Sequence, residues 1–172
     1  TGAGNTVTGS KIGIYARAGL GSTTVVDNLV EGNGSGVVLS AARHLAMTGD
    51  NRIVDNPAYG ILAQGAFVDT TMSGVTVSGS TVGLCLSGAT NLVVAGGNVF
   101  TGNSAHALYA VGDCTATTVT GNTFDGAGTG TFGLFLDGAT GLGVGGTVAG
   151  DGNTITRAAV GVYARGVLDG TT

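Results

Sequence analysis

An all-β solenoid, in which short parallel strands wind round one axis, is the fold class this 172-residue sequence predicts. Three observations predict it. The composition favours turns and disfavours helices: 35 residues are glycine, one is proline, and 9 % are charged against the usual quarter. A phrase of a small residue followed by alternating apolar residues returns seven times, at steps of 23 to 28. Within each step the apolar residues fall in the same places, so they form columns once the steps are stacked. One domain spanning residues 1–172 accounts for the whole length.

Each period opens on an asparagine phrase: NTVTG at 5, NLVEG at 28, NRIVD at 51, VTVSG at 75, NVFTG at 98, NTFDG at 122 and NTITR at 153. Its alternation puts Val7, Val30, Ile53, Val77, Phe100, Phe124 and Ile155 in one inward column. Asparagine tolerates left-handed backbone at a turn, and stacked amides hydrogen-bond along the axis at about 1 kcal/mol net each. That asparagine column is interrupted by Val75.

The small-residue phrase follows: GIYA at 13, GVVL at 36, GILA at 60, GLCL at 83, ALYA at 107, GLFL at 133 and GVYA at 161. Ile14, Val37, Ile61, Leu84, Leu108, Leu134 and Val162 form a second inward column, and Ala16, Leu39, Ala63, Leu86, Ala110, Leu136 and Ala164 a third. A weaker phrase completes the period and contributes Val25, Met47, Met72, Val94, Val119 and Val144. No single coil buries its own apolar face, so stacking at about 4.8 Å creates the core. The expectation is about seven coils with three short strands per coil.

These phrases, at this period, resemble the right-handed parallel β-helix repeat of the pectin-lyase-like superfold. The resemblance spans the chain and supplies the handedness, which periodicity leaves open. It implies no single function, because that superfold hosts lyases, epimerases, tailspikes, adhesins and inert stalks. The alginate-epimerase phrase is absent: Tyr59-Gly60-Ile61 is followed by Leu-Ala, not Asp-Pro-His.

Several function classes are set aside by charge and hydropathy. The net charge is −4 and the six Lys/Arg stand singly, which gives no footprint for nucleic acid. No run of about 18 apolar residues exists to span a membrane as a helix. The threonine rank Thr6, Thr76, Thr123 and Thr154 is broken by Leu29, Arg52 and Val99, which argues against a flat ice-binding array.

Outward positions between the two core columns of the small-residue phrase are Tyr15, Val38, Leu62, Cys85, Tyr109, Phe135 and Tyr163. An exposed apolar stripe of this kind marks contact. Tyr15, Tyr109, Phe135 and Tyr163 are the contact residues expected here, for a carbohydrate or for a neighbouring chain. The flanking column Arg17, Ser40, Gln64, Ser87, Val111, Asp137 and Arg165 supplies few polar partners, with Asp137 and Arg165 as an exposed pair.

Acidic residues gather in the second and third coils. Asp27 and Asp50 precede the asparagine column and stack about 5 Å apart, while Glu31 and Asp55 follow it. As a resident cofactor, calcium on Asp27, Glu31, Asp50 and Asp55 is one reading; turn chemistry for Asp beside Gly or Asn is the other. In the β-helix lyases that the chain resembles, a metal neutralises a uronate while Arg or Lys takes a proton. Asp27, Asp50 and Arg52, with Lys11 nearby, would have to fill those catalytic roles. His44 and His106 have no ligand partner at metal spacing, and Cys85 and Cys114 are out of register for a disulfide.

Thr1, Thr24 and Thr172 occupy one position of the period, so the chain starts and stops at the same corner of the coil, with no capping helix at either end. Open sheet ends invite pairing. Axial continuation follows as an expectation, either as further coils of a longer array or as end-to-end self-association. The sequence therefore supports two functions: a structural or adhesive β-helix segment of an extracellular or cell-surface protein, or a polysaccharide-binding or polysaccharide-active module.

Overall fold

The computed structural model describes residues 4–19 and 21–172, without the side chains of residues 128–130. Thr1 lies outside the described residues. Fourteen strands and no helix are present among them. In chain order they are β1 (Thr6–Thr8), β2 (Ile12–Arg17), β3 (Thr23–Val26), β4 (Leu29–Glu31), β5 (Ser35–Ser40), β6 (Leu45–Thr48) and β7 (Arg52–Val54). Then follow β8 (Tyr59–Met72), β9 (Thr76–Ser78), β10 (Val82–Ala95), β11 (Val99–Asn103), β12 (His106–Thr120), β13 (Thr123–Val144) and β14 (Thr154–Arg165). Every pairing is parallel and joins a strand to the one a coil away, which is the right-handed β-helix.

The register matches the period column for column. Val7 pairs Val30, then Ile53, Val77, Phe100, Phe124 and Ile155. Ile14 pairs Val37, then Ile61, Leu84, Leu108, Leu134 and Val162. Ile53, Ile61, Leu84, Leu86, Phe100 and Phe124 have no exposed surface, and the Phe100 and Phe124 rings stack at 5.2 Å. Cys85 and Cys114 are free thiols, as their register implied.

Two details correct the sequence expectation. Seven rungs bound six turns, so the solenoid has about six turns, and no strand forms after Arg165. Strands of a coil also fuse: β8, β10 and β12 each join two of the coil's three strands over 14, 14 and 15 residues, and β13 joins all three over 22, through register shifts at the bends. Thr172 does fall in the Thr24 column. Its N–H donates to Leu142 and its carbonyl accepts from Val144, on either side of Gly143.

Two sets of side chains lock the stack. Asn28 donates to Asn51 Oδ1 at 3.1 Å, Asn98 to Asn122 at 2.8 Å and Asn122 to Asn153 at 3.2 Å. A second asparagine ladder, five residues on, was not anticipated. Asn33 donates to Asn56 Oδ1 at 3.1 Å, and Asn103 Oδ1 accepts from the Ser80 amide at 3.1 Å.

The small-residue column has its own reason. A Cβ on Gly36 would lie 2.6 Å from the Gly60 carbonyl oxygen, and one on Gly83 would lie 2.7 Å from that of Ala107. The next coil is already there, so only glycine or a displaced alanine fits. At the corner after the asparagine phrase the backbone is left-handed, with Gly32, Asp55, Gly79 and Arg157 at φ 60°, 53°, 71° and 50°.

Candidate functional site

The outward column is in register over the whole stack, Tyr15 on Val38, Leu62, Cys85, Tyr109, Phe135 and Tyr163. It is not a uniform stripe, however. Val38 and Cys85 are buried, because short side chains sink between longer neighbours. Tyr15 stands 55 % exposed at the first rung, separated from the other aromatics by three aliphatic or thiol side chains.

Tyr109, Phe135 and Tyr163 do come together, and His106 and Phe132 join them. Tyr109 and Phe135 are 5.5 Å apart between ring centroids, and Phe135 and Tyr163 are 5.0 Å apart. His106 lies 5.5 Å from Tyr109, 5.3 Å from Phe132 and 4.9 Å from Phe135. Phe132 also meets Tyr163 at 5.6 Å. These spacings suit tilted and edge-on aromatic packing. The signal for the two unanticipated rings was in the sequence: His106 and Phe132 each stand three residues before a member of the outward column, and they pair in register. Two consecutive residues are buried between the members of each pair, Ala107 and Leu108 in one and Gly133 and Leu134 in the other, so strict alternation fails there and both outer positions reach the ring cluster.

Asp137 and Arg165 border the cluster and pair tightly. The guanidinium donates from Nε to Oδ1 at 2.9 Å and from Nη2 to Oδ2 at 2.7 Å. It also lies 5.2 Å from the Phe135 ring centroid. Tyr109 donates its hydroxyl to Asp137 Oδ2 at 3.4 Å. The Arg165 hydrogen bonds hold the Asp137 carboxyl below its ordinary value. Burial, then the Asp137 charge, pushes the Tyr109 phenol up, and burial lowers His106, which keeps its imidazole neutral. The Nδ1 atom of His106 is buried without a hydrogen-bond partner among the described residues.

A second ion pair ties the same two coils at the preceding corner. Asp125 accepts from Arg157 Nε at 2.8 Å and from Arg157 Nη2, and from the Thr101 and Thr156 hydroxyls at 3.0 Å and 3.2 Å. The Arg157 hydrogen bonds hold its carboxyl down at about 2.

The remaining expected residues have other surroundings. Asp27 takes a left-handed φ of 55°, and its Oδ1 accepts from the Asp50 amide at 3.0 Å, which is turn chemistry. Arg52 is exposed in β7, paired with Leu29 and Thr76. Glu31 closes β4 and Asp55 follows β7, so both lie across the strand from Asp27 and Asp50. Among the described residues, no three His, Cys, Asp or Glu side chains converge as a metal-ligand group. His44 does have a partner, with Nδ1 3.2 Å from Asp69 Oδ2. Burial pushes the Cys85 thiol up to about 11.

Residues 1–130 match the family model described as periplasmic copper-binding protein (NosD). Among solved structures, the chain is similar to the A-module of the mannuronan C-5 epimerase AlgE6 of Azotobacter vinelandii, with a TM-score of 0.67 and 18 % identity. That likeness covers 98 % of this chain and 54 % of the other, so the chain spans about half of the length of that module, and at this identity it speaks for the fold alone. No curated protein matches the chain.

Proposed function

The chain belongs to the NosD family, and from that premise we propose that it is a periplasmic or extracellular β-helix whose outer face holds a polysaccharide. The five-ring cluster of His106, Tyr109, Phe132, Phe135 and Tyr163, bordered by the Asp137–Arg165 pair, carries the reading. Sugar rings stack their C–H faces on aromatic rings, and their hydroxyls need donors and acceptors beside those rings. Tyr163 is 40 % exposed and offers such a face; Asp137 and Arg165 offer both hydrogen-bonding senses.

The coil stack supplies rigidity. Sheet positions hold a binding surface more firmly than loops do, and here every ring but that of the last rung stands on a strand paired on both sides. Retention on a panel of insoluble polysaccharides tests the reading. Tyr109→Ala with Tyr163→Ala should abolish retention while the far-ultraviolet circular dichroism stays that of the parent. Equal retention by the double variant counts against it.

Copper, which the family's description names, has no matching donor set here. His44 is beside Asp69, His106 is packed among rings, Cys85 and Cys114 are buried thiols, and Met47 and Met72 lie in the apolar core. These are all the His, Cys and Met of the sequence; Met47 and Met72 are neighbours in register but buried in the apolar core, and among the described residues no three His, Cys, Asp or Glu converge.

A further inference from the structure

We propose that the aromatic face selects neutral glycans and rejects polyuronates. This rests on the polysaccharide reading above and narrows it to a substrate class. The deciding observation is that the cation beside the rings is already committed. Arg165 gives two of its N–H groups to Asp137, and Asp137 in turn accepts from Tyr109. A uronate carboxylate arriving there would either displace this bidentate partner or take the remaining N–H groups of a guanidinium whose charge Asp137 already balances, and it would face the Asp137 charge in both cases.

No other cation is placed to help. Arg157 is bound in the same way by Asp125. Lys11 and Arg17 belong to the first rung, Arg43 bridges to Val68 at another corner, and Arg52 stands on β7 in a different ladder. The chain as a whole carries −4, so a polyanion meets repulsion as it approaches. A carboxylate set against the rings without a partner gives up hydration and gains no ion pair in return.

A neutral sugar meets none of these obstacles. The guanidinium has three further N–H groups and the carboxylate has unused lone pairs, so hydroxyls find both a donor and an acceptor at the ring border. The rings of Tyr109, Phe135 and Tyr163 rise 5.5 Å and 5.0 Å per rung. Successive sugars can therefore meet successive rungs.

Native gels cast with hydroxyethylcellulose, galactomannan or alginate test this. The parent chain should be retarded by at least one neutral polymer and run through alginate as it runs through a blank gel. Asp137→Asn frees the guanidinium and should gain an alginate retardation that the parent lacks. Asp137→Ser, which frees the same group, replaces it if the first variant does not fold by circular dichroism. Tighter retardation of the parent by alginate than by the neutral gels would overturn the neutral preference and leave the polysaccharide reading standing. A folded Asp137 variant indifferent to alginate would overturn the charge argument. Free migration through all three gels would overturn both.

Discussion

Ser80 sits one coil beyond Asn56, in the place that Asn33, Asn56 and Asn103 hold in their own coils, and its hydroxyl is buried without a partner among the described residues. The first asparagine ladder is interrupted in the same coil by Val75, whose amide still donates to Asn98 Oδ1 at 3.0 Å. The fourth coil therefore lacks both side-chain staples.

Ser80→Asn should restore one of them. The new Oδ1 would accept from the Asn56 backbone and side-chain amides, as Asn56 Oδ1 does from Asn33. The gain should be about 1 kcal/mol, the net value of a buried hydrogen bond. Urea unfolding measures it; a lower midpoint would show that the site has no room for the amide.

Gly60→Ala and Gly161→Ala alter the same column on different rungs. At Gly60 a Cβ would meet Val77 Cγ1 and lie 2.8 Å from the Gly83 carbonyl oxygen, while at Gly161 nothing lies within 4 Å. The first should cost about 1–3 kcal/mol through overpacking and the second under about 0.5 kcal/mol. Comparable losses at both would mean that coil-to-coil approach is not what excludes side chains here.

Leu84→Asp puts a carboxylate into the sealed Ile61–Leu84–Leu108 column, where Leu84 has no exposed surface. The loss should exceed about 4 kcal/mol and abolish the cooperative transition. Tyr15→Ser, on the outer face, should be mild. Equal tolerance of the two would invert the face assignment.

Acid should weaken the fold in two stages. Burial holds His106 below its ordinary 6.5, so the unfolded chain takes up that proton first and stability starts to fall as pH drops through about 6.5. Asp125 is held at about 2 against an ordinary 3.8, so its contribution is whole above that ordinary value and is lost as pH falls towards 2. Urea midpoints at pH 7.5, 5.5 and 3 follow both stages. His106→Phe should remove the first loss alone, and Asp125→Asn should reduce the second, to which the lowered Asp137 also contributes; an unchanged pH profile in either variant disproves its assignment.

Much of the molecule is written in the period itself. In an in-register parallel stack each residue's neighbours are those one period away, so aligning the seven phrases placed Val7 on Val30 and Asp137 on Arg165 without any folding calculation. The second asparagine ladder was equally readable, since Asn33, Asn56 and Asn103 each follow a first-ladder position by five residues; Ser80 and Val75 broke both columns in one coil and obscured it.

The site was less readable, for a physical reason. Alternation sorts side chains into inside and outside, but it does not say which outside positions share a face when the strand bends at a small residue. His106 joins Tyr109 and Phe132 joins Phe135 across two consecutive buried residues, a break in alternation that a period-2 reading does not anticipate.

By itself the sequence determined the axis, the register and the contents of the core, because a repeating apolar pattern has one way to bury itself and the repeat length fixes it. Only the tertiary structure decided the outer face. The sixth coil is lengthened, with 31 residues from Asn122 to Asn153, and register shifts on either side of Gly128 follow the corner where Arg157 meets Asp125. Those contacts depend on how far the corners bulge, a distance that a one-dimensional period does not contain.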